Sequence, residues 1–462
     1  MEQDEFFGFI EPHLDHKISS EQKEVIKHES GPLWVVAGPG SGKTEVLVLT
    51  TLKKIFVDNI NPKSILITTF TKKAAKNLHD RILTYARYVF DVVPELENQI
   101  DFSELRIGTL HSLCENILEE YRYPCFENIR MMDEIEQYLF IYDHSNVSLD
   151  TRKKQIFRKL WEAFPFMFSV YGNIRRNSGW VATNYPSRRD RTKAAISLFN
   201  RVTEDLIDVD KLRKSGNDHL ILLADAYEDY EQKLLNHGRC DFANVQKIFL
   251  EFLKTDYAMQ FLAGDGTSNH PGIECVLVDE YQDTNPIQEA IYFYLAKKTQ
   301  NLIVVGDDDQ ALYRFRGASV DGLVTFDKAC KRYWGLDEQE VTRSKKFLKQ
   351  NYRSHEDIVT YYDEYIKSFP DMNLKNARVE EKPQLVSKKK IEIDYPPLVA
   401  IRGKDSENVA KIFAELVRNL INNGIIESPS QCALLMQSVK GNHSKPFAEA
   451  LKSLKITPYN PR

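Results

Sequence analysis

A glycine-rich run at residues 37–44, AGPGSGKT, constrains the fold of this chain more than any other feature. It follows an apolar stretch at 33–36 and precedes a helical pattern at 45–55, in the order strand, turn, helix. Glycines let successive backbone N–H groups point at a polyphosphate, and the helix adds the positive end of its dipole. The run fits GxxxxGK[ST], the pattern of a phosphate-binding P-loop, and predicts a nucleoside triphosphate site; the alternative is a purely structural turn. The residues predicted to contact this nucleotide are Ala37, Gly38, Pro39, Gly40, Ser41, Gly42, Lys43 and Thr44.

Chemistry assigns two of these residues separate tasks. Lys43 can reach the β- and γ-phosphates, and the Thr44 hydroxyl can ligate Mg²⁺. This pattern therefore predicts a nucleoside triphosphate and Mg²⁺ as cofactors.

Composition limits the class of protein. The 462 residues are enough for about three domains, and contents of 42% hydrophobic and 28% charged residues are typical of soluble globular proteins. No apolar run approaches the ~20 residues of a membrane span, and the N-terminus lacks a signal-peptide pattern. We therefore expect a cytoplasmic protein without a membrane partner. The six cysteines form no CxxC pair, which argues against structural zinc or an iron–sulphur cluster.

A basic segment at 152–193 stands out against the net charge of −5. It holds eleven Lys and Arg residues and two acidic ones, interleaved with aromatic residues. Two interpretations remain open, a solvated helix face over an aromatic core and a surface that contacts nucleic-acid phosphates.

The order of apolar runs predicts an α/β fold. Five runs, each followed by a polar turn and a helical stretch, indicate a parallel sheet covered by helices; they are 33–36, 65–69, 105–107, 275–278 and 302–305. Residues 113–240 read as a helical insertion, with a clear helix at 220–235. After residue 320, apolar segments at 398–401 and 432–436 and a helix at 409–421 suggest a second α/β unit.

Two strand ends carry residues suited to phosphate chemistry. Asp279 and Glu280 end the apolar run at 275–278; beside a P-loop, Asp279 would hold Mg²⁺ and Glu280 would polarise the attacking water. Gln310 follows the next run, where its amide could sense the γ-phosphate. Tyr313 and Phe315 come directly after it, and they are either core residues or platforms on which bases stack.

Seven motifs in this order resemble superfamily 1 DNA helicases of the UvrD/Rep/PcrA type. They are ISSEQ at 18–22, AGPGSGKT at 37–44, TTFTKKAA at 68–75, GTLHS at 108–112, VDEYQDTN at 278–285, VVGDDDQALYRFRGA at 304–318 and QNYRS at 350–354. The resemblance implies a P-loop NTPase of RecA-like architecture. It implies a first motor domain at 1–112 and 241–320, a helical insertion at 113–240 that contacts DNA, and part of a second motor domain at 321–462.

The resemblance also implies roles for single residues. Gln22 would read the adenine edge, Tyr352 would stack on adenine, and Arg353 would be an arginine finger. With Lys43, Glu280 and Gln310, Arg353 completes the implied catalytic set. The residues implied to contact single-stranded DNA are Phe70, Thr109, His111, Tyr313, Phe315 and Arg316.

The chain departs from the family pattern in three ways. Glu45 stands where a basic residue commonly packs on adenine, and Phe315 stands where some members have tryptophan. The two last family motifs do not occur before Arg462, which suggests a truncated helicase. The sequence thus predicts an ATP-dependent 3′-to-5′ DNA helicase or translocase, acting on single strands and single-strand/duplex junctions, with any nuclease or repair partner undetermined. The alternative is a nucleotide-gated DNA-binding or regulatory module without unwinding activity.

Overall fold

The structure is a computed structural model. It describes residues 1–144, 188–267, 270–310, 320–373, 377–389, 392, 395–436, 439 and 443–459. The chain divides into two compact units, Met1–Lys389 and Lys390–Arg462.

Among the residues that the structure describes, every strand belongs to the first unit. In chain order they are β1 (Leu33–Ala37), β2 (Ile65–Thr68), β3 (Arg106–Gly108), β4 (Arg130–Met131), β5 (Arg239–Cys240), β6 (Cys275–Val278), β7 (Leu302–Gly306), β8 (Lys345–Leu348), β9 (Gln350–Asn351) and β10 (Val386–Ser387). Six of them form one sheet in the order β3-β2-β6-β7-β1-β8, and every neighbouring pair is parallel. The pairs β4–β5 and β9–β10 are separate two-stranded ribbons.

Helices connect the strands. In chain order those of the first unit are α1 (Gln3–Ile10), α2 (Ser20–Ile26), α3 (Lys43–Phe56), α4 (Lys72–Phe90), α5 (Leu110–Glu120), α6 (Glu134–His144), α7 (Arg188–Glu204), α8 (Val209–Lys214), α9 (Asp218–Asn236), α10 (Phe242–Phe252), α11 (Met259–Ala263), α12 (Pro286–Leu295), α13 (Val320–Val324), α14 (Phe326–Trp334), α15 (Glu338–Arg343) and α16 (Glu356–Ser368). Those of the second unit are α17 (Ser406–Asn422) and α18 (Lys445–Ser453).

The large sheet is buried on both faces. Along β1, Trp34 and Val36 contribute to one hydrophobic core, whereas Leu33, Val35 and Ala37 contribute to the other. Parallel strands covered by helices on both sides must be apolar at nearly every position. This explains why the runs appear in the sequence as continuous rather than alternating, and it confirms the predicted α/β class.

All five strands predicted for the first sheet are confirmed, but a sixth strand of that sheet was missed. β8 pairs with β1 at the edge of the sheet, and Trp34 lies opposite Lys345. This strand was missed because it begins with two lysines, and charged residues are common in edge strands. The first sheet therefore continues beyond the boundary expected at 320/321, while the domain limits themselves stay predictions.

The predicted insertion has a core of its own. The ribbon β4–β5 pairs Arg130 with Arg239 and brings the two ends of this region together. Beyond it, α6, α7 and α9 pack around Phe199 and Tyr227, which are buried. Residues 152–187 of the basic segment lie outside the described residues, so both interpretations of it remain open.

The second unit is built from α17 and α18, whose contact buries Ala410, Ala414 and Leu451. The helix expected at 409–421 is confirmed. The prediction of strands at 398–401 and 432–436 was wrong. An apolar segment becomes a strand only when the backbone of a neighbouring segment pairs with it, and no described residue pairs with either segment. Across the described residues of both units, no helix combines the length and apolarity that a membrane crossing requires.

Candidate active site

The carboxyl ends of the parallel strands gather the predicted residues at one edge of the sheet. The P-loop follows β1, Phe70 follows β2, Thr109 follows β3, Asp279 follows β6 and Asp307 follows β7. In open α/β sheets ligands bind at this edge. Chain topology therefore brings together residues that are more than 200 positions apart in sequence.

The P-loop adopts the backbone that its glycines permit. Gly40 and Gly42 have φ angles of +69° and +85°, in the left-handed region that residues with a side chain rarely enter. Gly42 caps the N-terminus of α3, which begins at Lys43. The Ser41 hydroxyl donates to the Gly38 carbonyl at 2.7 Å and closes the turn. The loop is thus a cradle of backbone donors at a helix N-terminus, as the sequence predicted.

Lys43 and Glu280 meet in this cradle. The Lys43 Nζ lies 3.3 Å from the Glu280 Oε2, which also accepts a hydrogen bond from the Gln282 Nε2 at 2.7 Å. Glu280 has a φ of +51°, a strained conformation for a residue with a side chain. Lys43 and Glu280 thus form an ion pair inside the P-loop cradle, and their roles with phosphate and water stay predictions.

Asp279 lies beside this pair and is buried. Burial raises the pKa of Asp279 to about 7, the neighbouring Glu280 adds to the rise, and Lys43 opposes it. A nearby divalent cation would favour the ionised form of such a carboxylate. Together with the hydroxyl of Thr44, Asp279 offers the oxygen ligands that Mg²⁺ prefers, so these residues fit a magnesium ion.

The QNYRS motif forms a clamp on the P-loop, in which two of its residues donate hydrogen bonds to carbonyl groups of the loop. The Asn351 Nδ2 donates to the Pro39 carbonyl at 2.6 Å, and the Tyr352 N–H donates to the Gly40 carbonyl at 2.9 Å. A Cβ added to Gly40 would lie 2.9 Å from the Arg353 Cβ, which leaves no room for a side chain at residue 40. The Arg353 Cβ thus lies beside Gly40 of the P-loop, and the role of Arg353 as an arginine finger stays a prediction.

Gln22 supports the loop from the other side. Its Oε1 accepts from the Ser19 N–H at 2.9 Å and so caps α2, while its Nε2 donates to the Ser41 carbonyl at 3.3 Å. The side chain is buried, and both ends of its amide are engaged within the protein. Reading of the adenine edge by Gln22 stays a prediction, since a base would have to exchange with one of these bonds.

The end of β7 forms an ion cluster. Lys382 Nζ lies 2.8 Å from Asp307, 2.5 Å from Asp308 and 2.8 Å from Asp309. Gln310, the predicted γ-phosphate sensor, donates to Asp307 at 2.6 Å. The three carboxylates are close enough to ligate a metal ion, but the Lys382 ammonium already supplies their positive charge.

The residues predicted to contact DNA have different environments. Phe70 is 42% exposed beyond β2. Thr109 caps α5 through the Ser112 N–H. The His111 Nε2 lies 2.9 Å from the Gln246 Nε2, and burial lowers its pKa to about 4, which makes its ring neutral. Three further predicted residues lie outside the described residues: Tyr313, Phe315 and Arg316.

Sequence reasoning missed several residues that shape the site. Asn351 was seen only as part of a motif, and Gln282 was given no role although its Oε1 accepts the Asp307 N–H at 2.9 Å. Lys382 was also missed. Three residues after it, the Leu385 side chain packs against Gly38 of the P-loop. Asn351 and Gln282 could have been noticed as polar residues inside motifs. No feature of the local sequence indicates the role of Lys382, because its partners lie more than 70 residues away.

Comparison with known proteins agrees with this geometry. A family model described as the UvrD/REP helicase N-terminal domain matches residues 18–331, more than half of the chain. The ATP-dependent DNA helicase PcrA of Staphylococcus epidermidis is 28% identical over 359 residues, which are 77% of this chain and 40% of that protein. PcrA of Bacillus subtilis is 26% identical over 377 residues, or 81% of this chain and 42% of that protein. The chain therefore spans about two fifths of the length of these curated relatives, and it belongs to the UvrD/REP helicase N-terminal domain family.

Proposed function

We propose that this chain binds ATP with Mg²⁺ at the P-loop and hydrolyses it to drive movement on single-stranded DNA, as the motor part of a 3′-to-5′ helicase. The observation that carries the proposal is the Lys43–Glu280 pair at 3.3 Å inside a P-loop cradle, with the Arg353 Cβ beside Gly40 of the same loop. Family membership and the printed name of the relatives, ATP-dependent DNA helicase, support the same activity.

The pair suggests how nucleotide binding prepares hydrolysis. A γ-phosphate reaching the cradle would compete for Lys43, whose ammonium now contacts Glu280. Released from the lysine, Glu280 remains oriented by the Gln282 Nε2 and can take a proton from water. Mg²⁺ held by Thr44 and Asp279 would neutralise charge on the phosphates. Arg353, whose Cβ lies beside Gly40, would add positive charge to the same cradle.

DNA binding is proposed along the edge formed by β2 and β3. Phe70 offers an exposed ring, and Thr109 follows the neighbouring strand, whose Gly108 pairs with Thr68. Exposed aromatic rings at a strand edge suit the sequence-tolerant stacking of bases. Single strands and single-strand/duplex junctions are the proposed substrates.

Steady-state ATP hydrolysis with and without single-stranded DNA tests the proposal. The wild-type chain should hydrolyse ATP, and an oligonucleotide should raise the rate. Glu280→Gln should lower the rate by ~10²–10³. Phe70→Ala should weaken the stimulation by DNA while leaving the rate without DNA unchanged. Nucleotide-dependent DNA binding without turnover in the wild type would instead support the regulatory module.

A further inference from the structure

A fully buried glutamine contacts a histidine that the resemblance assigns to single-stranded DNA. Gln246 lies in α10 and is 0% exposed. Its Nε2 lies 2.9 Å from the His111 Nε2 in the first turn of α5, and it also lies 3.0 Å from the Phe242 carbonyl oxygen. The resemblance gives Gln246 no role, and the ATP chemistry does not involve it. A buried hydrogen bond of this kind has a large influence on its partner, because water does not compete with it.

The Phe242 carbonyl decides which end of the Gln246 amide faces the histidine. A carbonyl oxygen only accepts hydrogen bonds, so the amide atom 3.0 Å from it must be the nitrogen. The opposite orientation would place the Gln246 Oε1 against the Phe242 oxygen, and two acceptors repel each other. The Oε1 is buried without a donor among the described residues, but reversing the amide would only leave the nitrogen unpaired there instead. The amide nitrogen therefore faces His111.

This orientation determines which nitrogen of the His111 ring carries the proton. The Gln246 Nε2 donates, so the His111 Nε2 must accept, and the proton of a neutral ring then lies on Nδ1. Burial lowers the pKa of His111 to about 4, so the ring is neutral at neutral pH. Within the described part of the chain, Nδ1 has no hydrogen-bond partner of its own. The ring thus has one N–H donor that the protein does not use.

His111 lies at the edge of the sheet where DNA binding is proposed. It comes two residues after Thr109, which follows β3, and Phe70 follows the neighbouring strand. The His111 ring packs edge-to-face against Phe242, with centroids 5.3 Å apart, and Phe242 is 40% exposed. Asp241 accepts from two backbone N–H groups at the start of α10, at 2.9 and 2.8 Å. This cap holds in place the helix that carries the glutamine, so the ring has a fixed partner.

We propose that Gln246 is a positioning residue for His111: it confines the proton of the neutral ring to Nδ1, so that the ring presents one N–H donor to a hydrogen-bond acceptor of single-stranded DNA. The acceptor is a phosphate oxygen or a base atom of the strand. The inference rests on the proposed movement on single-stranded DNA. It adds a buried residue that prepares one contact with the strand and does not touch the strand itself.

The ¹⁵N resonances of the histidine rings in the full chain test the position of the proton, since protonated and unprotonated ring nitrogens resonate far apart. His111→Ala identifies the signals of residue 111. At neutral pH the wild type should show a protonated Nδ1 and an unprotonated Nε2. Gln246→Glu, whose ionised carboxylate can only accept, should move the proton onto Nε2. A protonated Nε2 in the wild type, or an unprotonated Nε2 in Gln246→Glu, would overturn the proposal.

Binding of a fluorescent single-stranded oligonucleotide, at one salt concentration, tests the consequence for DNA. Gln246→Met removes the donor and keeps a long, unbranched side chain, so it should bind the strand between about twofold and tenfold more weakly, the value of one hydrogen bond. In a His111→Ala background the same substitution should have no further effect, because Gln246 acts through the ring. An abasic strand distinguishes the two acceptors: the loss persists on it if the acceptor is a phosphate and disappears if it is a base.

Gln232→Met is the matched control. Gln232 is exposed on α9, where its Nε2 donates to the Asn236 Oδ1 at 3.1 Å, so its substitution should change neither the His111 signals nor the DNA affinity. Wild-type affinity in Gln246→Met, or an equal loss in the His111→Ala background, would refute the role of Gln246. A wild type that does not bind single-stranded DNA would instead refute the proposed function, and with it the DNA contact inferred here, whichever nitrogen carries the proton.

Discussion

Replacing Lys382 by methionine should destabilise the first unit strongly, because it leaves three carboxylates without their shared cation. The ammonium lies 2.5–2.8 Å from all three aspartates, and the lysine side chain is 7% exposed. Removal of one partner from a buried ion pair typically costs about 3–5 kcal/mol. Arg378 still pairs with Asp309 at 2.7 Å, so we expect a loss of about 3 kcal/mol, at the lower end of that range.

Lowering the pH should reduce the stability that Lys382→Met loses relative to the wild type. Burial raises the pKa of Asp307, and the opposing effect of Lys382 disappears in the variant, so the pKa rises further. A carboxylate whose folded pKa exceeds its unfolded value gives stability at low pH that is lost as the pH rises through the folded pKa. The difference between Lys382→Met and the wild type should therefore shrink between pH 7.5 and pH 5.5.

Urea unfolding followed by circular dichroism measures both effects. Lys331→Met is the control, because Lys331 is 63% exposed, pairs with Glu338 at 2.8 Å and should change the free energy of unfolding far less than Lys382→Met does. Lys382→Arg, which keeps the charge, should lie between the wild type and the methionine variant. The reasoning is refuted if Lys382→Met unfolds within about 1 kcal/mol of the wild type at pH 7.5, or if its deficit grows on acidification.

Three further predictions concern the clamp, the buried histidine and the basic segment. Asn351→Asp replaces the donor to Pro39 by an acceptor, and it should weaken ATP binding about tenfold in calorimetry; an unchanged affinity would mean that the 2.6 Å contact does not hold the loop. Because the pKa of His111 is about 4 in the folded chain, against 6.5 unfolded, stability should fall by about 2 kcal/mol as the pH drops from 6.5 toward 4. His111→Gln should remove that part of the acid dependence in urea unfolding, and equal acid sensitivity would contradict it. Charge reversal at 152–154 should flatten the salt dependence of duplex binding by about 0.9 in slope per lost contact, whereas an unchanged slope would favour the solvated-face interpretation.

Features set by local chemistry could be predicted from the sequence. The P-loop needs glycines at Gly40 and Gly42, and the buried strands need continuous apolar residues, so both appear directly as patterns. Parallel topology then brings the ends of those strands to one edge. For this reason the sequence also predicted that Lys43 and Glu280 belong to one site.

Features set by long-range partners could not be predicted. Asn351 reaches Pro39 across 312 positions, and nothing in either local sequence indicates the contact. The Lys382 cluster is also formed by residues that are distant in sequence. The apolar segments at 398–401 and 432–436 show the converse, because strand-like composition does not produce a strand when no described neighbour pairs with it.

Equilibrium binding of fluorescent ATP with Mg²⁺ to the wild type, Lys43→Ala and Glu280→Gln tests most directly whether one P-loop site separates phosphate binding from water activation. The account predicts that Lys43→Ala loses binding, because the ammonium is the phosphate ligand. It predicts that Glu280→Gln binds at least as tightly as the wild type, because the variant removes the acid that now competes for Lys43 at 3.3 Å. Equal loss of binding in both variants would contradict the account.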